Sequence, residues 1–142
     1  MNLIGRNVRE EDLDICEKLM VQPELITFQG HYVSREWLSE LMVDGLSVVI
    51  EDNDVGIIGC VFAEKLKGNG CLLWLISIDP KYKTMGYGTM LLKYFENICK
   101  SIYNIEWVIL YSTTNSLYNR HFYMKHGYEN ENGAFWEFGK EL

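Results

Sequence analysis

Residues 83–89 read Lys-Thr-Met-Gly-Tyr-Gly-Thr and lie between a strongly apolar run and an amphipathic stretch. Glycine at Gly86 and Gly88 lets the backbone turn without Cβ clashes and approach a ligand closely. A helix starting at about Gly88 would present unpaired N–H groups and its positive dipole end, which suit a phosphate or pyrophosphate. Lys81 and Lys83 add positive charge at the same place. A Gly-x-Gly turn between strand and helix also serves purely conformational ends, and the loop alone does not separate the two readings. Two nucleotide fingerprints are absent. The dinucleotide pattern needs a third glycine where Leu91 stands, and no Gly-Lys-Ser/Thr closes a Walker motif.

Cys16, Cys60, Cys71 and Cys99 are separated by gaps of 44, 11 and 28 residues, which match no zinc or redox spacing. Three sit inside apolar segments, so they are expected as buried, reduced thiols, and no metal is expected. A nucleophilic cysteine working with one of the three histidines is the other reading of these residues.

The elements that must hold this loop follow from hydrophobic periodicity. Leu3–Val8 alternates as a strand does, and Glu11–Met20 places Leu13, Cys16, Leu19 and Met20 on one helical face. Residues 22–33 read as a loop, and Ser34 as the N-cap of a helix through Met42 carrying Trp37, Leu38 and Leu41 inward. Leu46–Ile50 and Val55–Ala63 read as strands joined by the polar turn Glu51–Asp54. After the turn at Gly68–Gly70, the run Cys71–Ile78 fits a strand buried on both faces. A helix over Gly88–Ile102 would bury Leu91, Tyr94, Phe95, Ile98 and Ile102, with Lys93, Glu96, Asn97 and Lys100 outward. Ile105–Tyr111 is a strand, Ser116–His126 a helix stopped by Gly127, and Phe135–Phe138 a closing strand. The order β-α-α-β-β-β-α-β-α-β predicts a mixed α/β layer fold in one domain, residues 1–142.

The 142 residues are 48% apolar and 23% charged, which suffices for a core without staples. Thirteen bases against twenty acids give a net charge of −7, which speaks against a nucleic-acid partner needing a basic face. The start turns acidic at once and the longest apolar run is far short of the ~20 residues a bilayer requires. The expectation is a soluble, cytoplasmic protein without a membrane partner. Charge is divided unevenly: residues 1–71 hold 13 acids and 6 bases, while residues 72–142 hold 7 of each.

The stretch Ile78-Asp79-Pro80-Lys81-Tyr82-Lys83-Thr84-Met85-Gly86-Tyr87-Gly88 resembles the acetyl-CoA loop of the GNAT superfamily of N-acetyltransferases, Gln/Arg-x-x-Gly-x-Gly/Ala after an apolar-x-Pro step. A second family motif, an Asn-rich turn and helix ending in Tyr-x-Lys-x-Gly-Phe, is similar to residues Asn115 to Tyr128. Both motifs stand in the right order on the right elements, so the resemblance covers nearly the whole chain. It implies a mostly antiparallel central sheet flanked by helices, acetyl-CoA as co-substrate and a primary amine as acceptor. Lys83 departs from the usual Gln or Arg and Tyr128 from the usual Phe. No glutamate occurs between Leu72 and Ile78, where some members keep a general base.

The resemblance also implies roles. Backbone groups of Ile76 and Ile78 would pair with the pantetheine arm like an added strand. Amides of Lys83, Thr84, Met85, Gly86, Tyr87 and Gly88, with the Thr89 hydroxyl, would hold the pyrophosphate. Asn115 and Asn119 would bond the cofactor's amide-rich arm, and Tyr123 would protonate the departing thiolate. A phenol with a pKa near ~10 is a fully protonated donor at neutral pH. An alkylamine with a pKa near ~10.4 is mostly charged there and must lose a proton before it attacks. Glu64, Glu24 and His31 are candidate acceptors for that proton, and none is singled out. The acceptor's identity is unassigned, as is the choice between monomer and homodimer. A non-catalytic acyl-CoA-binding regulatory module on the same fold is the alternative to an enzyme.

Residues 80–128 hold six bases and two acids. An anionic cofactor would meet this basic half and a cationic amine the acidic one.

Overall fold

The computed structural model describes residues 2–22, 31–111, 117–130 and 137–142. Seven strands form one sheet in the order β1-β2-β3-β4-β5-β7-β6. They are β1 (Leu3–Asn7), β2 (Val48–Asp52), β3 (Gly56–Lys65), β4 (Gly70–Ile78), β5 (Trp107–Tyr111), β6 (Glu129–Asn130) and β7 (Glu137–Glu141). Every neighbouring pair is antiparallel except β4 and β5. The helices are α1 (Leu13–Leu19), α2 (Arg35–Leu41), α3 (Tyr87–Ser101) and α4 (Leu117–Lys125). This is the mixed, mostly antiparallel sheet flanked by helices that the motifs implied.

The two central strands are apolar along their length because both sheet faces are covered. Val48, Ile50, Ile58, Val61, Ala63 and Leu73 bury against α3 through Leu91, Leu92, Phe95 and Cys99. Val49, Cys60, Phe62 and Leu75 bury on the other face against Leu13, Cys16, Leu19, Leu38 and Leu41 of α1 and α2. All four cysteines are free and buried, as their apolar settings predicted.

Several boundaries differ from the sequence reading. The first helix begins with a 3-10 turn over Glu10–Asp12 before α1 proper. The second strand starts at Val48 rather than Leu46 and takes Glu51 and Asp52 out of the expected turn. The last strand is Glu137–Glu141 instead of Phe135–Phe138; Phe135 lies outside the described residues. Apart from Phe138, nothing in Glu-Phe-Gly-Lys-Glu favours a strand locally, and pairing along the whole of β5 imposes it. Strand β6, two residues long, pairs with β7 and was not expected.

Two side chains expected on the third helix also differ. Ile102 is 61% exposed, because the helix ends at Ser101 and its periodicity no longer holds there. Glu96 turns inward. Its Oε2 accepts from the Tyr128 hydroxyl at 2.8 Å and its Oε1 from Lys140 Nζ at 2.9 Å. Tyr128, which replaces the family's Phe, thus uses its hydroxyl to tie the end of α4 to α3.

The acidic half contains one strong ionic knot. Arg6 Nη1 and Nη2 donate to the two carboxylate oxygens of Asp12 at 2.7 and 3.0 Å. Its Nε and Nη2 donate to the two of Glu51 at 2.7 and 3.2 Å. Asp12 Oδ2 also accepts from the Arg9 amide at 2.7 Å, which fixes the entry into α1. Burial alone would raise the Asp12 carboxyl, but the bonds from Arg6 and Arg9 outweigh it and hold it below the usual carboxylate value.

Candidate active site

Strands β4 and β5 run in parallel for four rungs, from Gly70 opposite Trp107 to Leu73 opposite Leu110. β4 then continues to Ile78, but past Leu73 and Leu110 the two strands no longer pair, so at Trp74 and Tyr111 they part as a fork. Beyond Leu73, β4 keeps its antiparallel partner β3 on one side and opens on the other. The Asp79 amide donates to the Ile58 carbonyl at 2.8 Å. Since backbone groups alternate in direction along a strand, those of Ile78 and Ile76 point away from β3 and into the fork. The Ile78 carbonyl there accepts from Gln22 Nε2 at 3.2 Å. Gln22 is buried and also donates to the Leu19 carbonyl and to Ser77 Oγ, each at 2.7 Å. Gln22 opens a stretch expected only as a loop, and a lone glutamine carries no signal of such a role.

The glycine loop follows directly. Asp79 Oδ1 caps a 3-10 turn over Pro80–Tyr82 by accepting from the Lys81 amide at 3.0 Å. Thr84 and Gly86 both have left-handed backbone, with φ of 64° and 85°. For a β-branched threonine this is a strained conformation. Gly86 is the N-cap of α3, and no acidic side chain stands in that helix's first turn. Lys81, Lys83, Thr84, Met85 and Gly86 are exposed, while Tyr87, Gly88 and Thr89 are half-buried. The loop therefore presents amides and the helix's positive end to the surface, with basic side chains beside them. A Cβ on Gly86 would meet nothing within 4 Å, so only the φ of 85° opposes one. Gly86→Ala is expected to cost about 1 kcal/mol from that strain, measured as a drop in melting temperature.

Thr89 does not stand alone. Its Oγ1 shares a 3.0 Å hydrogen bond with His126 Nε2, at the end of α4. Burial first, and then the charges of Lys125 and Lys93, hold the His126 imidazole below its usual pKa. His126 was not singled out from the sequence, where it read only as the last residue before the cap at Gly127.

Helix α4 carries Asn119 and Tyr123; Asn115 lies outside the described residues, as does Glu24. The Tyr123 ring packs on Phe122, Tyr128 and Phe138 at centroid distances of 5.3, 5.9 and 6.1 Å. Burial raises its phenol well above the ordinary value, which keeps the proton in place at any physiological pH. Ile76, Tyr87, Phe122 and Tyr123 all pack against the α3-side core, so strand edge, loop and tyrosine meet around one body of side chains. The helix stops where expected. Gly127 has a φ of 90°, and the amides of Gly127 and Tyr128 donate to the Met124 and Tyr123 carbonyls.

Of the candidate bases, His31 is exposed. Glu64 lies on β3 opposite Leu72, and its Oε1 accepts from Trp74 Nε1 at 3.1 Å. Among the described residues no group of three or more His, Cys, Asp or Glu side chains is placed to hold a metal ion. Among them, too, no helix is long and apolar enough to cross a membrane.

A forked parallel pair, a glycine-capped helix opening beside it and a half-buried phenol on the next helix define the acyl-transferase class of α/β fold. Residues 44–130 match the family model of the acetyltransferase (GNAT) domain, and the chain belongs to that family. It is 31% identical over 131 residues to the uncharacterized protein YxbD of Bacillus subtilis, covering 90% of this chain and 74% of that one. Among solved structures it is similar to the PaiA N-acetyltransferase of Thermoplasma acidophilum in complex with coenzyme A, with a TM-score of 0.81 and 22% identity over the whole of both chains. It also superposes on a GNAT acetyltransferase of Staphylococcus aureus Mu50, with a TM-score of 0.80, 14% identity and 99% of each chain covered. A third likeness is the SpeG spermidine N-acetyltransferase of Vibrio cholerae, with a TM-score of 0.74, 18% identity, and 99% and 92% of the two chains covered.

Proposed function

We propose that the protein is an acetyl-CoA-dependent N-acetyltransferase that moves the acetyl group directly from the thioester to a primary amine. The observation that carries this reading is the fork itself, with the Ile76 and Ile78 backbone turned into it immediately before a glycine-capped helix. The residues present fit a CoA thioester. The opened edge of β4 supplies backbone donors and acceptors for an extended amide arm, as strand addition does. The amides from Lys83 to Gly88, with the Thr89 hydroxyl, would supply an anion site, and Asn119 on α4 would offer an amide partner, as would Asn115 of the same motif.

The amine nitrogen would attack the thioester carbonyl carbon, a backbone N–H in the fork would stabilise the developing oxyanion, and the C–S bond would break. Tyr123 would give its proton to the departing sulfur and recover one from solvent. The proton leaving the amine would go to a carboxylate or a water. The uneven charge of the chain supports the same arrangement, since an anionic co-substrate would meet the basic half and a cationic acceptor the acidic one.

The absence of any glutamate in β4 favours one second reading, a non-catalytic acyl-CoA-binding module. A CoA-release assay across a library of amines separates the two. The enzyme reading predicts amine-dependent release of free CoA, whereas tight acetyl-CoA binding with no release on any amine would establish the module.

A further inference from the structure

On the α1–α2 face of the sheet, at the mouth of the fork, two indoles and one carboxylate form a ledge that the transfer step leaves unused. Trp74 is the first residue of β4 past the last rung shared with β5. The pairing with β3 steps from Leu75 opposite Phe62 to Leu73 opposite Ala63, so Trp74 is the extra residue of a bulge. Bulges re-aim a side chain. This one brings the Trp74 ring edge-on to Trp37 of α2, with centroids 5.1 Å apart and planes at 76°.

Trp74 stays 39% exposed, and Tyr111, next beyond the last rung on β5, is 44% exposed. Val108 and Leu110 face α3, so alternation along β5 places Tyr111 on the same face as the ledge. Glu64 takes the Trp74 indole N–H and is itself only half-buried, and among the described residues no lysine or arginine pairs with it. A carboxylate beside exposed aromatic rings is the chemistry that receives an ammonium group, by Coulomb attraction on one side and the ring quadrupole on the other. All three side chains belong to, or lie beside, the half of the chain that carries the net −7.

We propose that Glu64, Trp74 and Trp37 seat the positively charged group of the acetyl acceptor, so that the acceptor is an aliphatic alkylammonium compound. This rests on the transferase reading above. The seat lies on the face opposite α3, so acceptor and co-substrate reach the fork from opposite sides of the sheet. The ledge spans only two indoles and one carboxylate, which suits a single ammonium head on a methylene stem, either a free diamine or a lysine side chain.

The test is steady-state kinetics of the full chain with 1,4-diaminobutane, a lysine-containing peptide, an aromatic amine and a zwitterionic amino acid as acceptors. Glu64→Gln keeps an oxygen for the indole N–H and removes the charge. It is expected to raise KM for the alkylammonium acceptor about ten-fold and to leave the KM for acetyl-CoA within about two-fold, whereas a fall in kcat with the acceptor KM unmoved would make Glu64 the base and overturn the seat. Trp74→Leu should move the same KM in the same direction, and Trp74→Phe should restore most of the loss. Which of the diamine and the peptide is consumed tells the source of the ammonium group. The proposal is overturned if both variants keep the wild-type KM, or if the aromatic or zwitterionic amine is the preferred acceptor. It is also overturned if Trp74→Leu changes only the oligomeric state in sedimentation, since the ledge would then seat a second copy. Absence of acetyl-CoA binding by the wild type would instead remove the transferase reading beneath it.

Discussion

Tyr123→Phe should lower kcat by a factor on the order of 10² while leaving acetyl-CoA affinity nearly unchanged. The ring's contacts with Phe122, Tyr128 and Phe138 need no hydroxyl, so phenylalanine keeps the packing and the shape of α4. What it removes is the hydroxyl proposed to protonate the departing sulfur, whose proton desolvation keeps in place. The loss should appear in kcat and kcat/KM alike, since the interaction belongs to the transition state. It should shrink for thioesters whose thiols are more acidic, because such leaving groups need less help. A variant with wild-type kcat would show that the departing sulfur takes its proton from elsewhere.

Arg6→Met is the change with the largest expected effect on stability, about 3 kcal/mol. Arg6 is 18% exposed as a side chain and Asp12 only 6%, so methionine would leave a carboxylate without its cation in a nearly dry site. Glu51, at 31%, keeps access to water and limits the total. For a chain of this length that loss lowers the melting temperature by roughly 10 °C. The pH profile follows from the same bonds. The carboxyls of Asp12 and Glu51 both sit below their ordinary values in the folded chain. Their stabilisation is therefore complete above the unfolded-state value near ~4 and fades as the pH falls through the folded-state values. In Arg6→Met that acid-sensitive portion should vanish, and thermal melts from neutral to strongly acid pH would show it.

The glycine loop and the α4 motif were legible because their signals are local. Gly86 must adopt a left-handed φ, Gly127 must end a helix, and Pro80 and Gly88 stand at fixed distances between a strand and a helix. The two-faced burial of β4 was legible for the same reason, as a run of apolar residues with no polar alternation. The fork was not. It depends on which rungs of β4 and β5 pair, and those strands are separated by the whole of α3. Glu96 was misplaced because helical periodicity describes one helix and says nothing of a tyrosine and a lysine arriving from residues 128 and 140. Strand β7 was misplaced because its residues have little strand preference of their own and take their form from β5. The meeting of Trp37 with Trp74 joins α2 to a bulge in β4, and a bulge leaves no mark in the pattern of apolar residues.

The proposed activity requires that the fork and the glycine-capped helix receive a CoA thioester. Isothermal titration of the full chain with acetyl-CoA, repeated with Gly86→Ala, asks this without any acceptor. Saturable 1:1 binding by the wild type, weakened by Gly86→Ala, is the result predicted. No heat of binding from acetyl-CoA or any other CoA thioester, with the protein folded, would contradict it.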